Sequence, residues 1–210
     1  MADAAELYDA VLSGNAKKAE EVTKAALEAG ANPSELLGKY MIPAMDEVGR
    51  RFECNEYFVP ELLIAARAMK KALELLTPHL AAIGAESAGQ VIIGTVKGDL
   101  HDIGKNLVAS MLEGGGFQVV DLGVDVPTEK FVEAVKERKG CILALSALLT
   151  TTMTMMKNVI EALNEAGVRE STKVMIGGAP ITQQFADEIG ADGYSDNASA
   201  AVALARRLVG

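Results

Sequence analysis

Val91-Ile92-Ile93-Gly94-Thr95-Val96-Lys97-Gly98-Asp99-Leu100-His101-Asp102-Ile103-Gly104-Lys105-Asn106 decides the fold. Its first six residues, Val91 to Val96, form a near-continuous apolar run, as expected of a strand buried on both faces. A helical stretch, Gly104 to Glu113, begins a few residues later. The loop between them holds one of the chain's two histidines, two residues after Asp99. In open α/β sheets ligands bind beyond the carboxyl ends of the strands, so His101 is poised to bind something.

Downstream the pattern repeats. Phe117 to Leu122, Cys141 to Ser146, Lys173 to Ile176 and Gly193 to Ser195 read as further strands. Thr128 to Arg138, Thr151 to Ala166, Ile181 to Ile189 and Ser199 to Leu208 read as helices between and after them. Apolar strands joined by helices predict a five-stranded parallel sheet, doubly wound, because right-handed crossovers place helices on both faces.

Upstream everything reads as helix. Asp3 to Ser13 and Ala16 to Ala29 are short amphipathic segments, the second ended by Gly30. Asn32-Pro33-Ser34-Glu35 starts a third helix that runs through Tyr40 toward Phe52, with Pro43 placed to kink or restart it. Pro60 to Thr77 is a fourth, with Leu62, Leu63, Ala66, Met69, Leu73 and Leu76 at helical spacing. Short connections between four helices predict an antiparallel bundle over residues 1–84. Small residues from Gly84 to Gln90 mark a linker, with 85–90 separating the bundle from an α/β domain over 91–210.

The 210 residues carry a net charge of −9, and no basic patch interrupts it, so phosphate backbones and anionic lipid surfaces are poor partners. No apolar run approaches the roughly 18 to 20 residues of a membrane span, and MADAAELYDA lacks the pattern of a signal peptide. The expectation is a cytoplasmic protein that binds neither nucleic acid nor membrane. Cys54 and Cys141 share no metal-ligand spacing. His79, beside Pro78, reads as a surface residue near helix carbonyls.

Three strand ends collect the special residues: Asp99, His101 and Gly104 after the first, Ser146-Ala147-Leu148-Leu149-Thr150-Thr151-Thr152 at the third, and Gly177-Gly178 at the fourth. Taken singly they are common. Asp-x-His also fits a helix cap with a neighbour, Gly-Gly a turn, and a threonine run helix-cap chemistry. Lys97, Asp102 and Lys105 also fit simple solvation.

Their order and spacing resemble the cobalamin-binding family that includes the B12 module of methionine synthase and, more closely, the corrinoid proteins of methylamine, methanol and betaine methyltransferase systems. The signature is Asp-x-His-x-x-Gly, then Ser-x-Leu, then Gly-Gly, here Asp99/His101/Gly104, Ser146/Leu148 and Gly177/Gly178. Arg51-Phe52-Glu53 and Tyr57 to Leu62 resemble the region that caps the corrinoid in methyl carriers. The resemblance implies a helical-bundle cap followed by a flavodoxin- or Rossmann-like domain that binds cobalamin or a related corrinoid.

It further implies that His101 replaces the cofactor's own base as lower axial ligand of cobalt, with Asp99 on its other nitrogen and Thr152 relaying protons, where serine is frequent in the family. The displaced nucleotide tail would run past Gly104, Gly177 and Gly178, beside Asp102 and Ile103, with Ser146 and Thr150 as hydrogen-bonding groups and Leu148 as packing. Phe58 and Leu62 would form an apolar lid over the upper cobalt face. The activity implied is methyl carriage, cobalt(I) becoming methyl-cobalt(III) on one methyltransferase and returning on a second, toward tetrahydrofolate or a thiol. A substrate-specific methyltransferase, the second methyltransferase and a reductive activator would be the partners, and no residue of this chain need be catalytic. A mutase subunit and a B12-dependent sensor share the α/β motif; the first would normally lack the helical cap, and the second would need a DNA-binding segment.

Overall fold

The computed structural model describes residues 5–84 and 87–209. Asp3 and Ala4 of the first expected helix, and Ala85 and Glu86 of the expected linker, lie outside the described residues. The chain divides into two compact units, one of residues 1–87 with 113–116, the other of residues 88–112 and 117–210.

The first unit is helical: α1 (Ala5–Leu12), α2 (Ala16–Glu28), α3 (Pro33–Leu36), α4 (Ile42–Glu53) and α5 (Val59–Ala82). Asn15 starts α2 by accepting the Lys18 N–H at 3.1 Å, and Asn32 starts α3 by accepting the Ser34 N–H at 2.9 Å. Both satisfy donors that a first turn leaves open.

Between α3 and α4 lies one π-helical turn, Leu37–Met41, in which the Ile42 N–H reaches back to the Leu37 carbonyl. Pro43 explains it: the ring has no N–H and crowds the carbonyl four residues earlier, so the helix widens by one residue. The expected third helix therefore runs on through Pro43 without restarting.

Helix α5 also outlasts its expected end at Thr77 and continues through Pro78 to Ala82. One missing N–H at Pro78 removes a single bond, and the Thr77 hydroxyl occupies the Leu73 carbonyl at 2.8 Å. His79 sits exposed in the last turn. The buried residues of α5 are Leu62, Ala65, Ala66, Ala68, Met69, Ala72 and Leu76.

The second unit alternates β1 (Gln90–Thr95), α6 (Ile103–Gly114), β2 (Gln118–Asp121), α7 (Thr128–Glu137), β3 (Ile142–Ser146), α8 (Thr154–Glu165), β4 (Lys173–Gly177), α9 (Gln183–Ile189), β5 (Gly193–Ser195) and α10 (Ala198–Val209). All neighbouring strands are parallel, in the order β2-β1-β3-β4-β5. Strands β1, β3 and β4 are buried nearly end to end, as the apolar runs predict for a sheet covered on both faces. Phe131 of α7 and Met156 and Leu163 of α8 pack in one core with Ile92, Leu143 and Val174. Cys141 is buried there, and burial pushes its thiol pKa up, which leaves it a packing group.

Strand order reverses between β1 and β3, the point at which doubly wound folds bind ligands. The loops that follow β1 and β3 flank that point. Register aligns Thr95, Ser146, Gly177 and Ser195 in one row across the carboxyl ends.

Candidate functional site

Asp99 is wholly buried at the end of β1, with donors gathered around both oxygens of its carboxylate. Oδ1 lies 2.6 Å from His101 Nδ1 and accepts the His101 N–H at 3.1 Å. Oδ2 accepts the Leu148 N–H at 2.8 Å, the Leu149 N–H at 3.4 Å and the Thr152 hydroxyl at 2.7 Å. Burial pushes the Asp99 pKa up, but the bonds from Thr152, Leu148 and His101 outweigh it and hold the carboxyl well below the usual carboxylate range. Asp99 is thus a buried charge made tolerable by its donors.

The charge fixes the imidazole. With a carboxylate at Nδ1 the proton resides there, and Nε2 carries the lone pair. The His101 side chain is half exposed, so that lone pair is open to a ligand. Among the described residues no three His, Cys, Asp or Glu side chains could hold a metal ion together. One imidazole with a carboxylate behind it fits a metal that brings its remaining ligands with it.

Around His101 the surface is apolar. Leu100 is 72 % and Ile103 82 % exposed, and Leu148, Leu149 and Val124 are exposed as well. Such a cluster is uncommon on a soluble surface and marks a binding face.

The structure joins Asp99, His101, Leu148 and Thr152 directly, and sets Ser146 in register with Gly177. Asp102 is exposed just before α6 and accepts the Asn106 side-chain amide at 3.1 Å. Thr150 is exposed in the loop after β3.

The glycines differ. A Cβ on Gly104, in the first turn of α6, would meet nothing within 4 Å, so folding places no demand for glycine there. That open space is what a cofactor tail beside the helix would need. Gly178 has φ +135°, and a Cβ there would stand 1.9 Å from the Ala147 carbonyl oxygen. Its lack of a side chain is required by the chain's own packing.

Two expectations are corrected. Leu62, expected with Phe58 in a lid, is fully buried in the stripe of α5, whereas Phe58 is 60 % exposed at the start of that helix. Lys105, read as solvated beside Lys97 and Asp102, is buried, its ammonium bonded to Asn106 Oδ1 at 2.7 Å and paired with Asp121.

Three contributors are not evident from the sequence. Thr95 is buried and its hydroxyl donates to the His101 carbonyl at 2.9 Å; its one signal is a lone hydroxyl ending an apolar strand. Asp121, at the end of β2, accepts the Gly123 N–H as well as Lys105. Asp125 accepts the Gly98 N–H at 2.7 Å through Oδ1, and its own N–H donates to the Asp99 carbonyl at 2.9 Å.

Known proteins share both halves of this arrangement. Residues 89–203 match the B12 binding domain family, and residues 4–77 match a second B12 binding domain family. The chain is 48 % identical over 201 residues to the trimethylamine corrinoid protein of Methanosarcina barkeri, covering 95 % of this chain and 93 % of that one. A cobalamin-binding protein from Desulfitobacterium hafniense superimposes with TM-score 0.81 at 34 % identity, over all of both chains. A chain of the methanol:cobalamin methyltransferase complex from Methanosarcina barkeri gives TM-score 0.85 at 32 % identity, covering 97 % of this chain and 78 % of that one. No helix among the described residues is long and apolar enough to cross a membrane.

Proposed function

The chain belongs to the B12-binding corrinoid proteins of methyltransferase systems, and from that premise we propose that it is a cytoplasmic methyl carrier working between two methyltransferases. The observation that carries this reading is the Thr152–Asp99–His101 chain, which sets a half-exposed imidazole, bonded to Asp99 through Nδ1, at the switch point of the sheet. When bound, the corrinoid would supply the methyl-transfer chemistry, as nucleophile for uptake and as donor for release.

The chain's own residues hold and tune. His101 would hold the corrinoid's cobalt through Nε2, and Asp99 keeps the proton on Nδ1. Thr152 and the Leu148 and Leu149 amides keep Asp99 ionised, with Thr152 the route for a proton to reach or leave the pair. Leu100, Ile103, Leu148 and Leu149 cover apolar cofactor surface, and Gly104, Ser146, Thr150, Gly177 and Gly178 line the path of the nucleotide tail beside Asp102. The helical unit, residues 1–84, acts as the cap, with Phe58 as its exposed apolar contact.

The named relative supports a methylated amine as the donor class, delivered by a substrate-specific methyltransferase. The acceptor enzyme passes the group to tetrahydrofolate or a thiol, and a reductive activator restores cobalt that has been oxidised.

Anaerobic reconstitution with cobalamin tests the reading. The expected result is stoichiometric binding, an absorbance spectrum with the cofactor's own base displaced, and methylation by a methylamine methyltransferase. Protein that ignores cobalamin, or a His101→Ala variant with an unaltered spectrum and transfer rate, would overturn it.

A further inference from the structure

Asp99 is gripped from two neighbouring strands. Its carboxylate is held from the β3 side by Leu148, Leu149 and Thr152. The Gly98–Asp99 backbone is held from the β2 side by one residue, Asp125, through two bonds: Gly98 N–H to Asp125 Oδ1 at 2.7 Å, and Asp125 N–H to the Asp99 carbonyl at 2.9 Å.

Asp125 has φ +50°, and among the described residues only Asn55 is another non-glycine with positive φ. That left-handed turn brings the N–H and the carboxylate of one residue onto the two peptide groups that flank the Gly98–Asp99 pair, at the Asp99 carbonyl and the Gly98 N–H. Aspartate and asparagine tolerate the conformation and carry the needed acceptor; glycine tolerates it without one. The segment is already zipped to β1, through Thr95 N–H to the Gly123 carbonyl and Val126 N–H to the Thr95 carbonyl, both 3.0 Å. Asp125 itself is exposed, so its carboxylate is not there to fill the core. Unusual backbone retained at such a place points to function.

We propose that Asp125 is a positioning residue for the Asp99–His101 pair: it locks the Asp99 peptide so that one carboxylate serves His101 on one oxygen and Thr152 and Leu148 on the other. Without it the Asp99 backbone keeps only its own N–H bond to the Val96 carbonyl, at 3.2 Å, and the buried carboxylate keeps its β3 donors at the expense of the imidazole. The inference rests on His101 being the axial ligand.

The test is electron paramagnetic resonance of full-length protein loaded with cobalamin in the cobalt(II) form, prepared with natural and with nitrogen-15 histidine. A protein imidazole on cobalt splits each line into a triplet, which becomes a doublet with the heavy isotope. Wild-type protein is expected to show this, Asp125→Asn to match it, and Asp125→Ala and Asp125→Gly to lower the ratio of imidazole-bound to imidazole-free cobalt about tenfold, the worth of a good hydrogen bond. Asp125→Gly keeps the backbone freedom, so it answers the question even where Asp125→Ala fails to fold. Variants that bind cobalt through His101 as fully as wild type does, whatever their melting temperatures, would overturn the proposal alone. Wild-type protein without isotope-sensitive splitting would overturn the axial-ligand reading and this inference together.

Discussion

Nδ1 of His101 lies 2.6 Å from Oδ1 of Asp99, joining a half-exposed imidazole to a carboxylate with no solvent access. A buried carboxylate that lost a donor would be costly, so the pair and Thr152 should respond as a unit. Asp99→Asn, which removes the charge that fixes the tautomer, is expected to weaken the imidazole–cobalt bond about 10- to 100-fold. Thr152→Val should destabilise the cofactor-free protein by about 1–3 kcal/mol, and Thr152→Ser should restore it, because only the hydroxyl is needed. Urea denaturation and cobalamin absorbance measure the two effects; a Thr152→Val protein as stable as wild type would show that Asp99 does not depend on that bond.

The two kinds of glycine should separate cleanly. Gly104→Leu adds a side chain whose Cβ would meet nothing within 4 Å, at an exposed position, so stability should hold or rise by up to about 1 kcal/mol as a better helix former enters α6. Cobalamin affinity should fall about tenfold or more as the added side chain overfills the tail's path. Gly178→Ala should instead fail in folding, since its Cβ would collide with the Ala147 carbonyl. Melting curves and cobalamin titration distinguish them; full affinity in Gly104→Leu would remove the tail from that helix face.

Leu62 and Phe58 should likewise part company. Leu62→Ala opens a cavity at a fully buried position and should cost about 2–5 kcal/mol. Phe58→Ala, at an exposed position, should stay within about 0.5 kcal/mol of wild type, with its effect confined to the cofactor's upper face. Chemical denaturation gives both numbers, and photolysis of the methylated cofactor reads the upper face. A large loss of stability in Phe58→Ala would make it a core residue too.

What the sequence makes legible follows from which interactions are local. The period change near residue 90, the five apolar runs and the Asp99-x-His101 spacing are short-range patterns, and each has its counterpart in the structure. Leu62 is legible as well: it belongs to the same helical stripe as Ala66, Met69 and Leu76, and that periodicity is a better guide than its place beside Phe58. The fate of Lys105 is not legible, because its burial depends on Asp121 arriving at the end of β2, sixteen positions away, in a particular strand order. The role of Asp125 is hidden for the same reason, since it depends on the segment after β2 lying beside β1, whereas Thr95 bonds the His101 carbonyl within its own loop, through a hydroxyl that no spacing singles out.

The helical unit carries its own pH dependence. Glu47 accepts Arg50 through both oxygens, at 2.7 and 2.8 Å, and Arg51 Nε at 2.8 Å. Arg51 in turn bonds the Tyr57 hydroxyl at 3.0 Å, so the cluster ties α4 to the turn that presents Phe58. The two arginines, Arg50 before Arg51, lower the Glu47 pKa to about 2 from 4.5. A depressed folded-state pKa means stability that is complete above the unfolded value of 4.5 and is lost as pH falls toward 2. Urea midpoints of wild type and Glu47→Gln should therefore differ most near neutral pH, with wild type the more stable, and the gap should narrow progressively below pH 4.5. Because Glu47 is partly exposed, added salt should shrink the gap at neutral pH as well. A gap unchanged by acid would mean that the Glu47→Gln variant loses packing, not charge, and the ionic tie between α4 and the Phe58 turn would have to be abandoned.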